Sequence, residues 1–235
     1  MKYLLILLLS TQAFCEERIA RIYEIGKTDS APLFTQKSVR TESDPGHIHA
    51  VTTITDPENK VVIVEDAEFK GDRLIHQHIQ QFQTQKAFDV LVDGKKVTFR
   101  TYVLKDGKET ESEKANTEDF TDEFITGPVS ENFLAKNWKE LLDGDTIHTR
   151  FGVPEIAESV GFKFFQVNES KDAKTIEIRM KPSSIFISMA LKPIELFFDP
   201  KTHQIVRYLG RTPLKWTKTG KLENIDADIL YDAPK

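Results

Sequence analysis

Residues 73–85 read RLIHQHIQQFQTQ, and residues 47–49 read His-Ile-His. Imidazole is the commonest metal ligand among side chains, and His-x-His spacing puts both rings on one side of a strand. Suppose the loop 57–59 pairs Thr55 with Val61, and the two-residue loop 71–72 pairs Lys70 with Arg73. His49, Ala67 and His76 then form one row across three strands, and Val51, Glu65 and His78 form the next row on the same face. Strands lie ~4.8 Å apart, so His49 and His76 would stand about 10 Å apart over a small alanine. Three nitrogens and one carboxylate make an acceptable zinc set, so His49, His76, His78 and Glu65 are the candidate ligands of a metal-dependent enzyme. The set depends on register: a two-residue first loop would turn His47 and His49 to the opposite face. The competing expectation, and the one favoured, is a mixed face of half-buried histidines bonded to neighbours or water.

No other constellation announces catalysis. G-x-S-x-G, a phosphate loop, G-x-G-x-x-G and H-E-x-x-H are missing from the sequence. Ser183 and Ser184 have no His or Lys beside them. No residue is therefore assigned a catalytic role.

The elements that must carry these side chains are mostly strands, because period-2 alternation dominates the chain. Residues 18–25 read as a first strand and 27–46 as a polar connection, with some pairing over 38–41. Residues 47–56 and 60–69 read as a hairpin. Gly71-Asp72, Asp93-Gly94 and Asp106-Gly107 supply tight turns, since glycine tolerates the positive φ those turns need. The acidic run 109–123 (ETESEKANTEDFTDE) reads as a solvated loop. Residues 130–142 (SENFLAKNWKELL) are the best helix: Ser130 is an N-cap candidate, Val129 could staple onto Leu134, and Phe133, Leu134, Trp138, Leu141 and Leu142 make one apolar stripe. Residues 182–193 are apolar between two prolines and read as a short helix or buried strand. Strands then resume to the end of the chain. The expected fold is mainly β: one large curved antiparallel sheet, a half-barrel or open barrel, with one or two short helices packed on it.

The first residues, MKYLLILLLSTQAFCEE, place Lys2 before the apolar run Leu4 to Leu9, with small and polar residues after it. That is the layout of a secretory signal, and the run is short of the ~20 apolar residues a membrane span takes. Residues 1–15 are expected to be the leader and 16–235 a single β-rich domain. Cleavage after Ala13 is an alternative, and lipidation of Cys15 another, although Gln12 and Phe14 replace the Leu and small residue a lipobox wants. Loss of Cys15, the one cysteine, would leave no thiol for a disulfide. The expected location is periplasmic or secreted, with no membrane span after cleavage. A net charge of −5 with both signs interspersed argues against nucleic acid. Sixteen Phe against two Trp and three Met are enough to fill a core or line an apolar groove.

The run from Pro182 to Leu214 (PSSIFISMALKPIELFFDPKTHQIVRYLGRTPL) resembles the end of a family of exported bacterial β proteins of unknown function. In these a Pro-Ser-Ser-like segment precedes an apolar stretch, a hairpin and a closing strand. The helix ending in Leu-Leu-Asp-Gly-Asp and the strand leading to Val153-Pro154 are also similar, so the resemblance spans about residues 130–231. More loosely, the architecture is similar to the periplasmic lipoprotein carriers of the LolA/LolB type. That resemblance implies an unclosed curved sheet wrapped on helices, and binding of acyl chains without chemistry. This chain has fewer helices to fill the hollow.

These readings combine into an exported, non-catalytic binding protein of the bacterial cell envelope, holding a lipid, lipoprotein or apolar peptide in an apolar groove. The candidate lining is Phe162, Phe164, Ile176, Ile178, Met180, Phe186, Met189, Phe197 and Val206. The alternatives are a structural or adaptor envelope protein with no small ligand, and the zinc enzyme above. No cofactor other than that zinc is expected.

Overall fold

The computed structural model describes residues 14–167, 174–184, 189, 192–218 and 220–233. Its strands are β1 (Phe14–Glu24), β2 (Phe34–Asp44), β3 (His47–Thr55), β4 (Val61–Lys70), β5 (Arg73–Gln81), β6 (Lys86–Asp93), β7 (Lys96–Lys105), β8 (Lys108–Asp119), β9 (Phe124–Ile125), β10 (Ile147–Val153), β11 (Glu158–Gln166), β12 (Ile176–Pro182), β13 (Ile194–Phe198), β14 (Ile205–Lys218) and β15 (Lys221–Tyr231). Two short helices, α1 (Ser130–Lys136) and α2 (Trp138–Leu142), come after a 3-10 turn at Gly127–Val129.

All fifteen strands join one sheet in the order β8-β7-β6-β5-β4-β3-β2-β1-β15-β14-β13-β12-β11-β10-β9. Neighbours are antiparallel except β9 and β10, which run parallel. The sheet curves without its ladder closing, and side chains bridge the gap instead. Asn116 on β8 donates to the Ala157 carbonyl at 2.9 Å, and Glu118 accepts from the Ser159 amide at 3.1 Å. Across the other half, Gln81 donates to the Pro213 carbonyl at 2.5 Å. Gln83 donates to the Lys215 carbonyl at 2.6 Å and accepts from the Lys215 amide at 3.0 Å.

The large curved sheet with short packed helices is the expected architecture, and most turns lie where the sequence places them. Lys70 pairs with Arg73 around Gly71-Asp72, and Lys105 with Lys108 around Asp106-Gly107, where both turn residues have positive φ. Four expectations are corrected. The acidic run is not a loop over its first part: residues 108–119 form β8, whose outer edge has no strand beside it among the described residues, so a charged composition suits it. Residues 34–44, read as connection, form β2. The helix over 130–142 is two helices, because the Asn137 side chain donates to the Phe133 carbonyl at 2.8 Å and the backbone there leaves helical geometry. Ser130 does not cap; its hydroxyl donates back to the Thr126 carbonyl at 2.9 Å. Half of the 182–193 segment, residues 185–188 and 190–191, lies outside the described residues.

Two apolar clusters sit on the concave side. The larger gathers Ala67, Phe69, Val90 and Phe99 from β4, β6 and β7, and Phe162, Phe164, Ile178 and Phe198 from β11 to β13. Val129, Phe133, Leu134, Trp138 and Leu141 fill the space between them. The smaller cluster lies under β1 to β4, β14 and β15, around Ile22, Ile54, Leu214 and Ile229. The helices therefore act as a plug between two arms of one sheet. Gly152 on β10 lets β9 seat there: an added methyl carbon would lie 2.7 Å from Phe124 Cζ.

Candidate functional site

The histidines resolve first. Both hairpin loops pair as expected, Thr55 with Val61 and Lys70 with Arg73. Each hairpin then contains a bulge, at Ile54/Thr55 and at Glu68/Phe69, and each bulge shifts the register by one residue. The actual rows are His49–Glu68–His76–Leu91 and Val51–Asp66–His78–Asp89. Glu65 is thereby turned to the concave side, where it accepts from Gln77 Nε2. His49 bonds Asp66 at 3.0 Å, away from the other two rings. The zinc set His49, Glu65, His76 and His78 is therefore not assembled, and among the described residues no group of three or more His, Cys, Asp or Glu is arranged for a metal.

The convex face instead carries a network centred on Asp89. His78 Nδ1 lies 2.7 Å from Asp89 Oδ1, His76 Nε2 lies 3.4 Å from the same oxygen, and the Tyr102 hydroxyl donates to Asp89 Oδ2 at 2.8 Å. His78 Nε2 meets Glu109 Oε1 at 2.9 Å, so both ring nitrogens face acids. The Asp89 bond raises the His78 pKa most, partial burial opposes it, and Glu109 adds to the rise. At Asp89 burial pushes upward, but the bonds from His78 and Tyr102 and the charges of His78 and His76 outweigh it, leaving the carboxyl at about 2. A raised histidine contributes stability that is complete below its unfolded value of 6.5 and is lost as pH rises through the folded value. The lowered carboxyl contributes fully above its unfolded 3.8 and loses that contribution as pH falls through about 2. His78→Ala is accordingly expected to cost about 1 kcal/mol between those two unfolded values and less at alkaline pH. Urea unfolding at about pH 5.5 and about pH 9 reads the difference.

The concave side holds the second candidate. The plug residues Phe133 and Trp138 pack ring to ring on the sheet, Phe133 with Phe164 at 5.8 Å between centroids and Trp138 with Phe198 at 5.2 Å. His203, in the β13–β14 loop, stacks on Trp138 at 4.7 Å. Polar ties hold the plug: Asn132 donates to the Gly71 carbonyl at 2.8 Å, and Lys136 meets Asp72 at 2.8 Å and also Glu123. Glu131 faces inward and receives Arg18 at 2.8 Å and Arg40 at 3.2 Å. Glu65 lies on the same side, and burial pushes its carboxyl up to about 7 against the downward pull of its Gln77 bond.

The structure divides the nine residues expected to line a groove. Phe162, Phe164, Ile178 and Met180 are buried in the larger cluster around the plug, and Ile176 packs against it half-buried. Phe197 is buried but belongs to neither cluster; it faces Arg207, whose guanidinium lies 5.6 Å from the ring centroid. Val206 is half-buried at the irregularity where Phe198 pairs with Ile205 and Phe197 with Arg207. Met189 is 82% exposed, and Phe186 lies outside the described residues. Arg18, Arg40 and Glu131 are not among the expected site residues. A signal for the first is present in the sequence: Arg18 shares its side of β1 with Ala20 and Ile22, so it is a cation at the dry parity of its strand.

No family model matches the chain, and no curated protein matches it. Two of the solved structures that share some similarity with the chain are the following. One is a β-barrel-like protein of the domain of unknown function DUF1849 from Brucella abortus, 10% identical, covering 92% of this chain and 94% of that chain, with a TM-score of 0.39. The other is a DUF1329 family protein from Desulfovibrio piger, also 10% identical, covering 94% of this chain and 84% of that chain, with a TM-score of 0.27. Among the described residues no helix is long and apolar enough to cross a membrane.

Proposed function

We propose that the protein is an exported, non-catalytic binding protein of the bacterial cell envelope. It takes an apolar ligand, a lipid, a lipoprotein or an apolar peptide, on the concave side of its sheet where α1 and α2 now lie. One observation carries this reading: the apolar middle of the sheet is covered by helices of seven and five residues rather than by strands. Helices this short are not stable alone in water, so their order depends on docking. A ligand that replaces the plug exchanges one apolar contact for another, each worth ~25 cal/mol per Å² buried. A small difference in affinity is then enough to move the balance.

The leader supports export. Phe14 and Cys15 pair with Glu42 and Thr41 in β1, so a cut after Ala13 would keep that strand whole, whereas a cut after Cys15 would remove its first two residues. The test is organic extraction of protein purified from its own host, then mass analysis. Bound lipid at near-stoichiometric amount is expected; a lipid-free extract together with no uptake of a fluorescent fatty acid contradicts the reading.

A second reading, a structural or adaptor protein of the envelope, is favoured by the plug itself, whose Phe133, Leu134 and Leu141 are buried in the larger apolar cluster. A depression of about 50 Å³ beside His76, Asp89 and Arg100 lies on the convex face and is too small for an alkyl chain. That reading predicts a co-purifying protein partner and no lipid.

A further inference from the structure

Two guanidiniums on the concave side share one carboxylate. Arg18 on β1 reaches Glu131 Oε1 through Nη1 at 2.8 Å, and Arg40 on β2 reaches Glu131 Oε2 through Nη2 at 3.2 Å. Each oxygen of the carboxylate is thus taken by a different arginine. The sheet itself positions Arg18: its guanidinium lies 4.6 Å from the Tyr231 ring centroid, and its Nε donates to the Asp232 carbonyl at 3.3 Å. Its Nη2 also donates to the Ile205 carbonyl. With the plug in place the Arg18 side chain is 12% and the Arg40 side chain 27% exposed. Departure of Glu131 would leave two cations aimed at one spot. Glu16 faces Arg40 across the ladder and offsets part of that charge, so a monoanion is enough to restore the balance.

The residues after Glu131 matter as much as its carboxylate. Phe133, Leu134, Trp138 and Leu141 continue from it into the larger apolar cluster. A carboxylate leading an apolar column has the layout of an anionic amphiphile. We infer that Arg18 and Arg40 form the head-group site for a ligand with a carboxylate or phosphate on an alkyl chain, and that Glu131 and the apolar side of the plug occupy that ligand's place in the present structure. The inference rests on the apolar-ligand reading above and adds the charge of the head. A neutral amphiphile in the place of the plug would cover both guanidiniums with Glu16, beside Arg40, as their remaining counter-charge, and burial of incompletely paired charge is unfavourable. The pair therefore selects by what a neutral ligand cannot satisfy.

Titrations of the full chain with three fluorescent alkyl probes of equal chain length decide the matter: a fatty acid, its methyl ester and a lysophosphatidic acid. At least one anionic probe is expected to bind about tenfold or more tightly than the ester. Preference for the fatty acid identifies a free carboxylate as the natural head, and preference for the lysophosphatidic acid identifies a phospholipid phosphate. Glu131→Gln weakens the docked plug and is expected to tighten the anionic probe and the ester alike, by about tenfold each, with the preference between them kept. Arg40→Gln is expected to abolish the preference while the ester still binds. Circular dichroism checks that each variant folds, and the comparison of acid with ester on the unaltered chain needs no variant. Equal binding of acid and ester overturns the head-group site while leaving the apolar-ligand reading in place. Binding of none of the three overturns both.

Discussion

Replacing Phe133 with alanine is expected to lower the unfolding free energy by about 3–5 kcal/mol. The ring is fully buried and packs against Phe164 from the opposite arm of the sheet. Truncation removes its transfer free energy and leaves a void that the two arms cannot close, because the ladders on either side fix their separation. Leu142 is the control: it belongs to the same amphipathic stripe but is 41% exposed. Leu142→Ala is expected to stay within about 0.5 kcal/mol. Urea titrations of both variants measure the contrast. A Phe133→Ala cost under about 1 kcal/mol would mean that the plug contributes little to holding the arms together.

The second large effect lies on the convex face. Asp228 is 0% exposed and accepts two bonds from Arg207, from Nε at 2.8 Å and from Nη2 at 2.6 Å. Asp228→Ala is expected to cost about 2 kcal/mol, because two charge-assisted bonds to a fully buried carboxylate are lost, while the Arg207 guanidinium, 37% exposed, keeps contact with water. Two further variants separate this from generic loss of an ion pair. Asp226→Ala breaks the exposed pair with Arg211 and is expected to cost under about 1 kcal/mol. The double variant Arg207→Met, Asp228→Leu removes both charges and is expected to recover part of the loss, since Arg207 has a further interaction besides Asp228. If Asp228→Ala and the double variant are equally destabilised, side-chain packing rather than charge explains the cost.

Much of the fold is legible in the sequence because alternation and turns are local. Gly71-Asp72 and Asp106-Gly107 turn where their backbone freedom allows, and the strands on either side keep their dry and wet sides. Facing across several strands is not legible, and the histidines show why. Both loops beside them pair as their sequences predict, yet two bulges intervene, and neither is marked by a distinctive residue type. One inserted residue exchanges Glu65 for Asp66 on the histidine face. β8 is hidden for a related reason: a strand at the end of a sheet leaves one edge to solvent, so its sequence, KETESEKANTED, looks like that of a loop. In IELFF only Glu195 interrupts the apolar run, which is little to tell that Phe197 faces Arg207 while Leu196 and Phe198 face the plug. Arg18 is the opposite case. Its position beside Ala20 and Ile22 on one side of RIARIYE marks a charge on the dry face, and that charge meets the helix.

If the apolar interior of the sheet binds a ligand as proposed, the plug must yield to it. Trp138 reports on this directly, because it is one of only two tryptophans and packs on Phe198 and His203 inside the plug. With Trp216 replaced by phenylalanine, emission comes from Trp138 alone. Titration with a non-fluorescent long-chain fatty acid is predicted to shift that emission to longer wavelength, saturably and in step with binding, as the ring leaves its packed site for water. A Trp138 spectrum that stays unchanged through saturating fatty acid would contradict the account.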